Sequence, residues 1–315
     1  MLESLTLRTP PVVSPLSASL EAFMLSREAM RCTPKTLEHY TYTAGGFVSY
    51  LQAEGVRDVG SITPSHIRAY MVALERRGVK DTTQHAHARG IRTWLNWLVE
   101  EGDLPLSPMR RVKMPRLEKR IPAPFSPDDV RRLMAGCVRS TALGARNYAL
   151  VLTLLDSGLR ASEAMGLRLG NVDMRSGLCT VMGKGRKMRQ VRLGAKARAA
   201  IVKMLGYRPD AKNGDALWAA YDGLTGAEVG DLTLAGLQVM LWRLGRRVGV
   251  TPCGAHRFRR TFALWCLRDG MDLHSLRLLM GHSDLAVLQR YLALAGEDIE
   301  RAHAAHSPAD RLLQA

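Results

Sequence analysis

A mainly helical α+β chain in two domains is what the sequence predicts, and three observations carry that expectation. Apolar residues recur at helical spacing over most of the 315 residues. A single stretch, 178–193, instead reads as two β-like runs, LCTVM and RQVRL, on either side of a basic glycine turn. Between the halves, 103–125 (DLPLSPMRRVKMPRLEKRIPAPF) holds five of the fourteen prolines and six basic residues, the composition of a linker.

The first half reads as a four-helix unit over 14–103. Leu20, Phe23 and Met24 mark one face of a helix between Ser17 and Met30. Thr33-Pro34 is an N-cap followed by proline at the first helical position, and its helix runs through Leu37, Tyr40, Phe47 and Leu51 to Gly55. Thr63-Pro64 repeats the start, with Ile67, Tyr70, Met71 and Leu74 on one face and Gly78 as the stop. A fourth helix, from about Thr82 to Glu101, turns Ile91, Trp94, Leu95 and Leu98 inward. Short connections between such helices make a compact all-α unit. His85 and His87 on that helix lack a Cys or acidic partner at ligand spacing, so they are expected on a plain helical surface.

Residues 104–125 are expected to be an extended, proline-held linker. A spacer needs no cations, so Arg110, Arg111, Lys113, Arg116, Lys119 and Arg120 point to phosphate contact. The second domain, 126–315, opens at Ser126-Pro127-Asp128-Asp129: an N-cap, a proline, then acids at the positive end of a helix dipole. A buried helix over 142–156 follows, then the hairpin, then helices over 195–206, 232–249, 256–270, 273–280 and 284–294.

Charge narrows the partner. There are 45 Lys and Arg against 29 Asp and Glu, a net charge of +16. The excess is spread along the chain: residues 1–121 hold 17 basic and 12 acidic side chains. Such a field favours a polyanion, most often nucleic acid. Five cysteines, an odd number with no CxxC, argue for a reducing cytosol and against a disulfide frame or zinc finger. No apolar run is long enough to cross a bilayer, and the N-terminus does not read as a signal peptide, so a cytoplasmic protein with no membrane partner is expected.

Four segments carry chemistry, and each alone has a bland alternative. In LLDSGLRASEAMGL (154–167), Gly158 ends one helix and Arg160 starts the next; Arg160 and Glu163 share a face, as a surface ion pair would. In VMGKGRKMRQVRL (181–193), Lys184 lies between two glycines, where the backbone can approach a ligand, with Arg186 and Lys187 beside it; an ordinary basic hairpin looks the same. In GAHRFRRTFALWCL (254–267), His256 and Arg259 are three apart, a pair that suits an oxyanion or merely an exposed helix start. In LLMGHSDLAVLQRYLAL (278–294), Gly281-His282-Ser283 breaks one helix, and Tyr291 follows on the next, where a half-buried core tyrosine is the usual outcome.

Together these segments give GLRxSE, GKGxKxR, HxxR and GHxxxxxxxxY in one order, and in that order and context the chain resembles the tyrosine recombinases, the family of phage integrases and Xer-type resolvases. The resemblance covers about Ser17 to Tyr291. One departure is Arg260, where many relatives carry histidine, at a position outside the catalytic set. The resemblance implies a helical core-binding (SAM-like) domain and a catalytic domain closing as a C-shaped clamp on double-stranded DNA. It implies Tyr291 as nucleophile, assisted by Arg160, Lys184, His256, Arg259 and His282, with Glu163 as a supporting acid. Cleavage through a 3′-phosphotyrosyl bond, a Holliday junction, and a homo-tetramer on two sites with exchanged C-terminal tails follow from the same resemblance, accessory proteins being possible. It calls for no metal and no cofactor. Two alternatives stand beside it: a type IB topoisomerase-like relaxing enzyme, and a DNA-binding regulator that never cuts.

Overall fold

The computed structural model describes residues 15–114, 123–183 and 188–281, with the isolated positions His303, Ser307 and Ala309. The chain divides into two compact units, Met1–Arg120 and Ile121–Ala315. The expected fold class is observed: helices dominate, and among the described residues the strands form only two two-stranded sheets.

The first unit is built from α1 (Pro15–Ala29), α2 (Pro34–Tyr40), α3 (Gly46–Ala53), α4 (Pro64–Arg76) and α5 (Asp81–Glu100). A π-helical turn, Thr41–Gly45, joins α2 to α3, so the helix expected from Thr33 to Gly55 is one continuous rod with a bulge. Its caps are those the sequence implies. Thr33 accepts from the Thr36 amide, and Thr63 and His66 form a reciprocal capping box. Phe23, Phe47, Ile67, Ile91, Trp94 and Leu98 are buried together in its core. His87 departs from expectation. It is buried, not on the surface, with its Nδ1 3.1 Å from the Tyr70 hydroxyl. The face of α5 that carries Ile91 and Trp94 continues through His87, and the polar ring is accommodated there by that bond.

The proline-rich stretch also departs from a uniformly extended spacer. Leu104, Met109 and Val112 join the core of the first unit, and Pro108–Arg111 make a 3₁₀ turn. The Arg68 guanidinium donates to the Arg111 carbonyl at 2.8 Å. Apolar residues spaced between the prolines gain more from burial than the chain loses by bending. Arg110, Arg111 and Lys113 remain exposed.

The second unit begins where Phe125 docks. Its ring lies 4.6 Å from that of Phe258, and its amide donates to the Thr261 hydroxyl at 2.8 Å. The Arg257 guanidinium covers the Phe125 ring at 4.1 Å and donates to the Ala123 and Pro252 carbonyls. α6 (Pro127–Ala135) starts with the Ser126–Asp129 capping box. α7 (Ala142–Ser157) is the central helix, apolar on most sides and packed among neighbours, as such a helix must be. The short α8 (Ala161–Met165) leads to β1 (Leu178–Met182) and β2 (Met188–Arg192), an antiparallel hairpin pairing Cys179 with Val191 and Met182 with Met188. α9 (Ala195–Leu205) follows.

A second hairpin, β3 (Ala219–Tyr221) with β4 (Glu228–Asp231), had no sequence-based expectation. Its strands are short and β4 is exposed throughout, so no period-2 apolar pattern marks it. Arg208 holds it from one side: two nitrogens grip the Glu228 carboxylate at 2.7 Å, and a third bond goes to the Ala216 carbonyl. α10 (Leu234–Arg247), α11 (Ala255–Arg268) and α12 (Leu273–Met280) complete the described unit. No helix among the described residues is long and apolar enough to cross a membrane.

Candidate active site

The site starts from a helix break. α7 ends at Gly158, whose φ of 58° is left-handed. A Cβ there would lie 2.4 Å from the Phe262 ring, so only glycine fits both the turn and α11 packed against it. The reversed chain puts Arg160 at the N-cap of α8, one residue after buried Leu159. Glu163, at the third position of α8, turns back on it. The Arg160 amide donates to Glu163 Oε2 at 2.8 Å, and Arg160 Nη1 donates to Oε1 at 2.7 Å. The pair is not a surface ion pair, because the Glu163 side chain is only 2% exposed.

A third group completes it. Arg189, on β2, donates from Nη2 to Glu163 Oε2 at 2.7 Å. Burial alone would raise the Glu163 pKa, but the hydrogen bonds from Arg189 and Arg160 outweigh it and hold the carboxyl below its usual range. Arg189 was not singled out in the sequence, although it is the last residue of GKGxKxR. An acid at the end of GLRxSE, buried and in need of a second cation, was the signal that could have found it.

The three guanidiniums meet at the end of α12. Arg189 Nη1 donates to the Leu279 carbonyl, Arg259 Nη2 to Met280 at 2.6 Å, and Arg160 Nη2 to Gly281 at 3.0 Å. Arg259 Nη1 also donates to the Gly158 carbonyl, joining the two helix breaks. Helix C-termini leave carbonyls without partners and carry partial negative charge, so three cations there satisfy both needs. Gly281 is again left-handed, at φ 60°, and a Cβ on it would lie 2.7 Å from Arg189 Cδ.

His256 and Arg259 share the start of α11 but not the same surroundings. Arg259 is buried at 3% exposure, whereas His256 stands on the exposed side. Enough protein crowds the imidazole that desolvation, then the Arg260 and Arg259 cations, lower its pKa. A neutral ring at neutral pH can accept a proton. The structure thus brings together Arg160, Glu163 and Arg259 directly, with His256 one helical turn from Arg259. Arg110, Arg111 and Lys113 belong to the first unit. Arg116, Lys119, Arg120, Lys184, Arg186, Lys187, His282 and Tyr291, and the helix expected over 284–294, lie outside the described residues. Among the described residues, no three His, Cys, Asp or Glu side chains converge as a metal site would require.

Replacing Glu163 by Gln should destabilise the protein by about 3 kcal/mol at pH 7, since a buried ion pair loses one partner. Most of the loss belongs to Arg189, whose side chain is 14% exposed, because the Arg160 contact is partly solvated at 34%. The Glu163 pKa is depressed on folding, so its contribution is complete above the unfolded value of about 4.3 and disappears as pH falls through the folded value. Urea unfolding of both proteins should therefore show a gap at pH 7 that narrows in acid. A gap independent of pH would contradict the assignment.

Comparison with known proteins agrees with the geometry. The phage integrase family model matches residues 124–297. The tyrosine recombinase XerC of Xanthomonas campestris pv. campestris (strain B100) is 29% identical over 309 residues, covering 97% of this chain and 94% of the relative. XerC of Pseudomonas syringae pv. syringae (strain B728a) is 29% identical over 277 residues, covering 87% and 91%. Among solved structures, the Tn1549 transposon integrase in complex with a circular intermediate DNA has a TM-score of 0.71 at 16% identity, over 91% of this chain and 99% of that one. At that identity the likeness establishes the fold. With more than half of its residues matched by the family model, the chain belongs to the phage integrase family, the tyrosine recombinases.

Proposed function

We propose that this chain is a site-specific recombinase that breaks and rejoins double-stranded DNA through Tyr291. The observation that carries this is the meeting of Arg259 and Arg160 on successive carbonyls, Met280 and Gly281, directly before His282 and ten residues or so before Tyr291. Transfer of a phosphoryl group needs a positioned nucleophile and stabilisation of charge on the equatorial oxygens. Arg160 and Arg259 supply forked donors that stay charged. His256 accepts the phenol proton as the Tyr291 oxygen attacks phosphorus. The bond from phosphorus to the 5′ oxygen breaks, Lys184 gives that oxygen a proton, and a 3′-phosphotyrosyl bond remains. His282 donates a hydrogen bond to the phosphate, and Glu163 holds Arg160 in orientation. Attack by a 5′ hydroxyl reverses each step, so one ester replaces another and no external energy source is used.

Both units contact the duplex, Arg110, Arg111, Lys113, Arg116, Lys119 and Arg120 on its phosphates and Arg186 and Lys187 near the cut. Four protomers on two sites exchange strands through a Holliday junction, each docking its C-terminal tail on a neighbour. Solved structures of the Tn1549 integrase and of XerH bound to the palindromic difH substrate contain DNA, which supports this partner.

The test uses a duplex bearing a candidate target with a nick just beyond the expected cut, so that the short 5′ fragment diffuses away. A protein–DNA adduct that survives denaturation, and recombinant joints when two intact sites are supplied, are expected. Relaxation of supercoiled DNA without joints would favour the topoisomerase-like alternative. Tight binding without an adduct would favour the regulator.

A further inference from the structure

Arg260 follows Arg259 on α11, is 8% exposed, and has none of the roles given above. It lies four residues after His256, the spacing that puts two side chains on one helical face. His256 is the second residue of that helix, whose N-cap, Gly254, has no capping side chain and whose first turn holds no acid. The positive end of the helix dipole therefore meets the ring uncompensated. Of the other arginines here, Arg257 turns away to the Asp129 carboxylate and to the Ala123, Pro124 and Pro252 carbonyls. Arg259 is held on carbonyls and is read above as a phosphate ligand. Desolvation bears most on the imidazole, then the Arg260 cation, then that of Arg259, and all three act in the same sense. Helices α7 and α12 pack against α11, and none of their titratable side chains (Arg146, Tyr148, Asp156, His274 and Arg277) bears on the ring. Among the described residues, no carboxylate opposes the two cations.

We infer that Arg260 is a positioning residue for the proton acceptor: its permanent charge, one turn along α11, keeps the His256 imidazole neutral and ready to take a proton. This rests on the reading of His256 as that acceptor. A guanidinium stays charged throughout the range in which an imidazole titrates, so its influence does not fade with pH. A cation beside a histidine disfavours the imidazolium. Its removal must let the ring hold its proton to higher pH, where a general base is then lost.

The experiment follows the His256 ring by NMR titration of the full, DNA-free chain, with His256→Gln identifying its signal. Beside it is set the pH profile of single-turnover cleavage of the nicked duplex. Arg260→Gln removes the charge, and Arg260→Lys restores it. Arg260→Met, which keeps the buried stem, is the neutral variant should glutamine not fold. In the neutral variant the ring should titrate at higher pH than in the wild type. Cleavage should be about three- to tenfold slower than wild type near pH 6 and should match it by about pH 8.5, because one unit of displacement is tenfold in protonation. Arg260→Lys should track the wild type in both measurements. Loss of packing alone would slow cleavage at every pH. An unmoved titration in the neutral variant, the same displacement in Arg260→Lys, or slowing that is equal at every pH would each overturn the inference. If the titration moves and the cleavage profile does not, the two side chains are coupled but His256 is not the acceptor. That reading then falls, and the role of Arg260 falls with it.

Discussion

Tyr291→Phe should bind a target duplex as tightly as the wild type and form no denaturation-resistant adduct with it. Phenylalanine keeps the ring and removes the only atom that can bond to phosphorus, so packing and binding are preserved while the covalent step is lost. The fall should exceed about 10⁴-fold, the scale on which enzymes lose their nucleophile. A phenol is a weak nucleophile near its free pKa of about 10. Arg259 on the Met280 carbonyl and Arg160 on the Gly281 carbonyl bring fixed cations to the residues just before the segment that carries Tyr291, and cations of that kind favour the phenolate. The measurement is a gel of denatured reactions on the nicked duplex beside a mobility shift on the intact one. An adduct persisting in Tyr291→Phe would place the nucleophile elsewhere.

The second large effect is expected at Arg259. Arg259→Lys preserves the charge yet should lower single-turnover cleavage by about 10³-fold, the range found for arginines that stabilise a phosphoryl transition state. The guanidinium plane is set by two carbonyls on different elements, Gly158 and Met280, one bonded to each terminal nitrogen. A lysine has a single rotatable ammonium and cannot reach both while presenting a flat fork to the phosphate. At 3% exposure, water cannot take over the lost contact. Cleavage rates at saturating enzyme, with DNA affinity measured separately, test this. A loss confined to affinity would assign Arg259 to binding alone.

Much of the fold was legible because its helices announce themselves at both ends. Thr33, Thr63 and Ser126 each cap where threonine or serine precedes proline, and glycines at 55, 78, 158 and 281 all take left-handed turns. What escaped had no local period. The hairpin over 219–231 is too short and exposed to show alternation. The π turn at Thr41–Gly45 leaves the helical pattern unbroken. Leu104, Met109 and Val112 looked like spacers because prolines surround them, and only tertiary packing shows their burial. At the site, Arg160, Glu163 and Arg259 could be identified by motif, but the carbonyls that hold the arginines could not. The carbonyls of Leu279, Met280 and Gly281 are backbone atoms, and no side chain records them. Arg189 escaped because the burial of Glu163, which calls for a second cation, shows only in the folded chain.

The use of backbone carbonyls has an electrostatic consequence. Carboxylates would have aimed these side chains equally well, but each would have cancelled a charge. Carbonyls orient through dipoles and cancel nothing. Three guanidiniums are held here on carbonyl dipoles, and Glu163 is the carboxylate that Arg160 and Arg189 share. A phosphodiester brings one negative charge, and its five-coordinate transition state approaches two. In the proposed reaction, a frame of carbonyls that fixes cationic forks without adding anions of its own would suit the charge that develops as the bond breaks.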